Sequence, residues 1–295
     1  MRRFTSAAGG TSLTLCADFD QTITTKDTIA LLFEAAASKH ADTRARQRHD
    51  ETVRALVDAY VSESNQLAAR FRDASTTRAE SFDAVGLDAF LRSYSEMDLR
   101  SIKRVERSKA LRGIKHEDLL QLSASVQLMT ACPQVLQKVS RVRVISANWS
   151  ARLLHDVLAP IANTHPDMQV LTNDLVMDSD GTSTGELRLQ VQSPQDKAEL
   201  LRQQRGQSDD LVVFVGDSTN DLMAMLEADV GIVVAPRAES SFAQICRAFG
   251  ITQLPLVSGE SLHTCREKTL LARKEGRRVL FDVDGWEDIH QALDV

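Results

Sequence analysis

From Pro133 onward the chain alternates short apolar runs with stretches of helical spacing: RVRVIS, then NWSARLLHDVLA, DLVVFVGD, TNDLMAMLEA, DVGIVV and SSFAQICRAFG. That alternation argues for a parallel sheet covered by helices. Ahead of it, Ser12 to Ala17 reads as one short apolar strand. From Asp27 to about Ser125 nothing strand-like follows; IALLFEAAASKH and ETVRALVDAYVSESNQLAARF are rich in helix formers at helical spacing. The expected division is a sheet-forming unit of residues 1–26 and 126–295 carrying a helical insert at 27–125. Between strand text and helix text lies VLTNDLVMDSDGTSTGELRLQV, two alternating runs joined by turn-forming residues, which predicts a β-hairpin.

Composition removes several functions. With 35 basic against 41 acidic residues the net charge is −6, so the surface repels nucleic acid and anionic membranes unless a local patch reverses the sign. Arg44 to Arg48 is balanced by Asp42, Asp50 and Glu51 and reads as a solvated helix face. No apolar run approaches the roughly 18 residues of a membrane span. Cys16, Cys132, Cys246 and Cys265 lack CxxC spacing, which fits reduced, buried thiols and a cytoplasmic location. The opening MRRFTSAAGGTS is basic, hydroxyl-rich and free of acids, with a faint organellar-import character. Oligomeric state is not legible.

The chemistry collects where strand text ends. Asp18 and Asp20 follow the first strand; strand alternation puts them on one face, roughly 7 Å apart, at the carboxyl end where open α/β sheets bind ligands. RVRVIS ends in Ser146, a hydroxyl suited to a phosphate oxygen. SPQDKAELL sets Lys197 early in a helix, a fixed positive charge for phosphoryl oxygens. LVVFVGDSTND brings Asp217 and, four residues on, Asp221, carboxylates suited to a hard cation. Singly, each has an ordinary reading: a helix cap, a surface lysine, loop acids. Together those readings require four coincidences.

In DFDQT (18–22), Ser146, Lys197 and GDSTND (216–221) the sequence resembles the haloacid dehalogenase (HAD) superfamily of phosphohydrolases, with all four motifs in order. The resemblance implies an α/β fold, a doubly wound parallel sheet with a Rossmann-like core and a helical cap inserted after the first strand. The hairpin text is similar to the phosphoserine-phosphatase-like branch. It further implies Asp18 as the nucleophile that becomes an aspartyl phosphate, and Asp20 as the acid and then base. Mg²⁺ would be held by Asp18, Asp217 and the main-chain carbonyl of Asp20, with Asp221 orienting Lys197 or the metal's waters. Dehalogenases lack the second aspartate, because a halide leaves unprotonated; its presence here points to phosphate chemistry.

A second apolar run ending in paired aspartates, VLFDVDGW (279–286), raises the same question at the other end of the chain. Trp286 stands where a hydroxyl residue is expected and nine residues follow it, so it reads as a late strand or turn.

A helical cap favours small soluble phosphomonoesters. GDSTNDLMAMLEADVGIVV, LPLVSG and GWEDIHQAL are similar to the phosphatase domain of plant thiamine monophosphate phosphatases. A cationic thiazolium would gain from an aromatic face and a carboxylate, for which Trp149, Phe33 and Glu34 are candidates, with Asn148 and Asn220 as further substrate contacts. The competing expectations are a phosphoserine phosphatase or phosphotransferase with the same intermediate, and a catalytically inactive binding module.

Overall fold

The computed structural model describes residues 12–74, 81–205, 210–238 and 240–293, the side chains of 72–74 excepted. Residues 1–11, which carry most of the import-like opening, lie outside the described residues.

The chain runs β1 (Leu13–Ala17), α1 (Ile29–Ala37), α2 (Thr43–Ala74), α3 (Ala84–Ser108), β2 (Arg112–Lys115), α4 (His116–Ser123), α5 (Cys132–Lys138), β3 (Arg141–Ile145) and α6 (Ala151–Ala162). It continues through β4 (Met168–Leu171), β5 (Asp174–Met177), β6 (Thr182–Arg188), α7 (Pro194–Gln204), β7 (Leu211–Gly216), α8 (Leu222–Glu227), β8 (Val230–Val234), α9 (Ser241–Ala248), β9 (Ile251–Pro255), α10 (Leu262–Lys274), β10 (Arg278–Val283) and α11 (Trp286–Leu293).

Seven strands form one sheet in the order β4-β3-β1-β7-β8-β10-β9, every pairing parallel. Each strand feeds two hydrophobic layers, because successive side chains alternate faces. Leu15, Ala17, Val213 and Val215 join one cluster; Cys16, Val212 and Phe214 join the other. Burial on both sides is why LVVFVG is apolar throughout rather than alternating. All four cysteines are free and buried. The chain leaves β1 toward β3 and β4 and later returns to β7 on the other side. The carboxyl end of β1 is therefore the point where the winding reverses, and there the sheet opens a crevice.

The 27–125 stretch was expected to contain no strand, and this needs correcting. Arg112–Lys115 forms β2 and pairs antiparallel with β6, making a three-stranded sheet with the expected β5–β6 hairpin. RGIK holds too few residues for a periodic signal, and its partner lies some seventy positions away. Ser183, on β6, fixes the pairing by accepting from the Ile114 N–H at 2.8 Å and donating to the Leu111 carbonyl. Val170 and Leu171, read as part of the hairpin, belong instead to β4 at the edge of the large sheet.

The long helices of the insert also rest on the large-sheet unit. Phe71 of α2 and Phe90 of α3 stack edge to face with centroids 5.2 Å apart, and Phe90 lies 5.6 Å from Phe249, just past α9. The arginine-rich start of α2 is exposed, as its charge balance predicted. Among the described residues no helix is long and apolar enough to cross a membrane.

Candidate active site

The backbone past β1 is a tight turn rather than more strand. The Asp18 N–H still reaches the Val215 carbonyl at 3.0 Å, and then the carbonyl of Phe19 accepts from Ile23 at 2.9 Å and Thr24 at 3.0 Å. Gln21 sits in the left-handed region at φ 56°. Strand alternation therefore stops before it can align the two aspartates, and their carboxylates find different neighbours.

Asp18 is 7% exposed and faces Lys197, itself 1% exposed. Lys197 Nζ lies 2.8 Å from Asp18 Oδ1 and 2.6 Å from Asp221 Oδ1. The contact with Asp18 is an ion pair outside hydrogen-bond geometry, which leaves Asp18 Oδ1 buried without a hydrogen bond. Ser193 caps α7 and completes a capping box with Asp196, fixing Lys197 one turn into the helix.

The second oxygen of Asp221 accepts from the N–H groups of Asp217 (3.2 Å) and Ser218 (3.1 Å) and from the Ser218 hydroxyl (2.9 Å). Asp221 thus spends both oxygens holding Lys197 and the loop after β7. Gly216 is obligatory there, since a Cβ would stand 2.5 Å from that of Asp221. Asp217 is left facing the crevice, one oxygen accepting from the Thr22 hydroxyl at 3.2 Å.

Oxygens of Asp18, Asp217 and Asp221 lie within 4.8 Å of one another. With all three ionised, the carboxylates against one ammonium leave a net charge of about −2, which one divalent cation would balance. Burial, followed by the Asp221 and Asp18 carboxylates, pushes Asp217 up to about 8. Burial likewise raises Asp18 to about 7, with Asp221 and Asp20 adding to it and Lys197 opposing. Burial alone would lower Lys197, but Asp18 and Asp221 outweigh it and hold the lysine above its ordinary range. An all-oxygen donor set and an excess of negative charge both fit a hard cation such as Mg²⁺.

Asp20 is held apart from this cluster. One oxygen accepts from the N–H (2.7 Å) and hydroxyl (2.6 Å) of Thr28, at the cap of α1, and the other from Asn148 Nδ2 at 2.7 Å. Burial raises its pKa, against the hydrogen bonds of Thr28 and Asn148. Asn148, expected among the substrate contacts, is spent: its amide also donates to the Thr28 hydroxyl at 2.9 Å, and its oxygen accepts from the Ser150 N–H at 3.0 Å. Thr28 could be read from sequence only as a helix cap, not as a partner of Asp20.

Ser146 directly follows β3 and is 1% exposed, and its Oγ accepts from the Asn148 N–H at 3.2 Å, leaving its proton to donate elsewhere. The cap of α6 is Ser150, so Ser146 is free of that duty. Trp149 meets Phe33 edge to face with centroids 6.0 Å apart. Glu34 is exposed on α1. Asn220 carries a buried Oδ1 that has no hydrogen-bond partner among the described residues.

Loops from β1 and β7 and the first turn of α7 therefore bring Asp18, Asp217, Asp221 and Lys197 together at the carboxyl end of the sheet of an α/β fold, and Asn148 links Asp20 to Ser146 beside them. Residues 15–226 match the haloacid dehalogenase-like hydrolase family, and the chain belongs to it. It is 29% identical over 305 residues to the bifunctional TH2 protein, mitochondrial, of Arabidopsis thaliana, covering 94% of this chain and 48% of that one. The chain thus spans about half the length of that relative. It is 27% identical to a CTO1 family protein of Schizosaccharomyces pombe, across 94% of this chain and 97% of the other. A substrate-bound phosphoserine phosphatase structure aligns with a TM-score of 0.49 at 15% identity, covering 78% of this chain and 89% of that chain.

Proposed function

We propose that the protein is a Mg²⁺-dependent phosphomonoester hydrolase that works through an aspartyl phosphate on Asp18. The observation that carries this reading is Lys197, buried between Asp18 and Asp221 with Asp217 alongside. A hydrolase that displaced a halide would need the nucleophile but not Asp20, whose carboxylate is set apart and raised by burial.

Asp18 attacks phosphorus, the ester P–O bond breaks, and Asp20 gives its proton to the leaving oxygen. A water then attacks the same phosphorus while Asp20 takes the proton back, and cleavage of the acyl phosphate releases inorganic phosphate and restores both carboxyl groups. The Ser146 hydroxyl and Lys197 ammonium hold the phosphoryl oxygens through both displacements. Asp18, Asp217 and the Asp20 carbonyl would hold Mg²⁺, which when bound supplies neutralising charge for carboxylate and phosphate together. In this reading residues 27–125 act as the cap that excludes water.

The substrate favoured is a small cationic phosphomonoester, with thiamine monophosphate as the specific case. Supporting it are the C-terminal resemblance and the cap side of the crevice. Tyr60 and Tyr94 pair their hydroxyls at 3.3 Å, and Tyr94 is within electrostatic reach of Asp221. Asp98, on the same helix as Tyr94, has no cationic partner among the described residues and is pushed up to about 6 by burial, against a hydrogen bond from Gln192. A cationic ring would supply the missing charge.

The test is phosphate release from an aryl phosphate with and without Mg²⁺, repeated on Asp18→Asn. Metal-dependent release that vanishes in a folded Asp18→Asn protein is expected. Equal turnover by that variant would reject the aspartyl-phosphate route.

A further inference from the structure

The paired aspartates of VLFDVDGW take no part in the crevice chemistry. Asp282 lies on β10 and accepts from Gln253 Nε2 at 2.9 Å, and the Asp284 N–H is taken up by Asp288 of α11 at 2.9 Å. What this segment does deliver to the site is Trp286.

Because β10 runs parallel to β8, the turn after Val283 opens at the same end of the sheet as the turn after β1. Trp286 begins α11 there, 0% exposed and the largest fully buried side chain of the described residues. Its indole N–H donates to the main-chain carbonyl of Thr22 at 2.7 Å. Thr22 is likewise 0% exposed, and its hydroxyl donates to Asp217 Oδ1 at 3.2 Å. An indole offers one donor in a fixed direction, so this bond restrains the Thr22 carbonyl and with it the backbone from which the hydroxyl reaches Asp217. The brace comes from beyond residue 226, where the family match ends.

We infer that Trp286 is a positioning residue that orients the Asp217 carboxylate for the metal through Thr22, so that the C-terminal segment is part of the metal site's scaffold. This rests on reading Asp217 as a metal-holding group, and the experiment separates the two.

Mn²⁺ binding to the full chain is followed by electron paramagnetic resonance for wild type, Trp286→Phe, Thr22→Val and the double variant. Ile289→Val, a change at a buried apolar position of α11 that removes no hydrogen-bonding group, serves as the stability control. Trp286→Phe keeps a ring in place and removes only the donor. It should weaken Mn²⁺ about fivefold, the factor that one net hydrogen bond of roughly 1 kcal/mol supplies. Ile289→Val should leave binding alone, and the double variant should bind no worse than Thr22→Val. In wild type, the Trp286 indole N–H resonance, assigned by comparison with Trp149→Phe, should shift with Mg²⁺ at the metal's own dissociation constant, a reading that survives if Trp286→Phe fails to fold. Unchanged Mn²⁺ affinity in a folded Trp286→Phe protein, fully additive losses in the double variant, or an indole resonance indifferent to Mg²⁺ would overturn the inference. Wild type that binds no Mn²⁺ at all would instead remove the metal-site reading beneath it.

Discussion

The ammonium of Lys197 lies 2.6 Å from one oxygen of Asp221, while the other oxygen of that carboxylate gathers the two amides and the hydroxyl that shape the loop carrying Asp217. One buried acid thus sets both the cation of the site and the backbone of a neighbouring acid. Lys197→Met should cut kcat about a hundredfold or more, because it removes the charge proposed to hold the phosphoryl oxygens. It should also lower the melting temperature at neutral pH in the absence of metal, since the buried carboxylates lose the close counter-charge that Lys197 gives them. Steady-state kinetics at saturating Mg²⁺ and a thermal melt check the two arms.

Asp217 is pushed up to about 8 from an ordinary 3.8, so the unfolded chain gives up this proton at lower pH than the folded chain does. Below 3.8 both states keep it and the group contributes no difference; as pH rises toward 8 its ionisation increasingly favours unfolding. Metal-free Asp217→Asn should therefore melt higher than metal-free wild type at pH 8.5, and the gap should close near pH 4. Added Mg²⁺ should reverse the order at pH 8.5. Differential scanning calorimetry across that range reads the outcome, and a gap that does not change with pH would contradict it.

Asn148 Nδ2 donates to Asp20, the acid proposed to protonate the leaving group. Asn148→Ala should slow hydrolysis of alkyl phosphates at least about tenfold. It should slow p-nitrophenyl phosphate far less, because that phenolate leaves without a proton. Equal losses on the two esters would place the effect elsewhere.

Asp98, on α3 beside the Tyr60–Tyr94 pair, invites a selectivity measurement. Asp98→Asn should lower the kcat/KM ratio of thiamine monophosphate to a neutral aryl phosphate about tenfold, mainly through KM, in line with the 1 to 2 kcal/mol typical of a partly desolvated cation contact. A ratio that stays put would show that the cationic ring is read by other groups.

How much of this was legible beforehand differs from residue to residue. Lys197 could be placed because Ser193, Pro194 and Asp196 announce a helix start in contiguous text. Gly216 and Asp217 could be placed because LVVFVG, buried at every position, announces where a strand ends. VLFDVDGW could be read as a late strand or turn, but nothing in contiguous text tells that its tryptophan reaches Thr22. Asp20 was placed on the right loop with the wrong geometry, since the alternation used to aim it ends at Ala17.

What the sequence determined by itself is where β1, β3 and β7 end and where α7 starts, and with them the acids, the lysine and the serine at the open end of the sheet, because period, capping and turn chemistry act between residues a few positions apart. Tertiary structure alone decided that Asn148 serves Asp20 across 128 positions, that β2 joins the hairpin, and that Trp286 reaches Thr22 across 264. Each of those contacts is a single directed hydrogen bond or a short pairing between distant segments, and it comes into being only once the packed sheet has fixed where both ends stand.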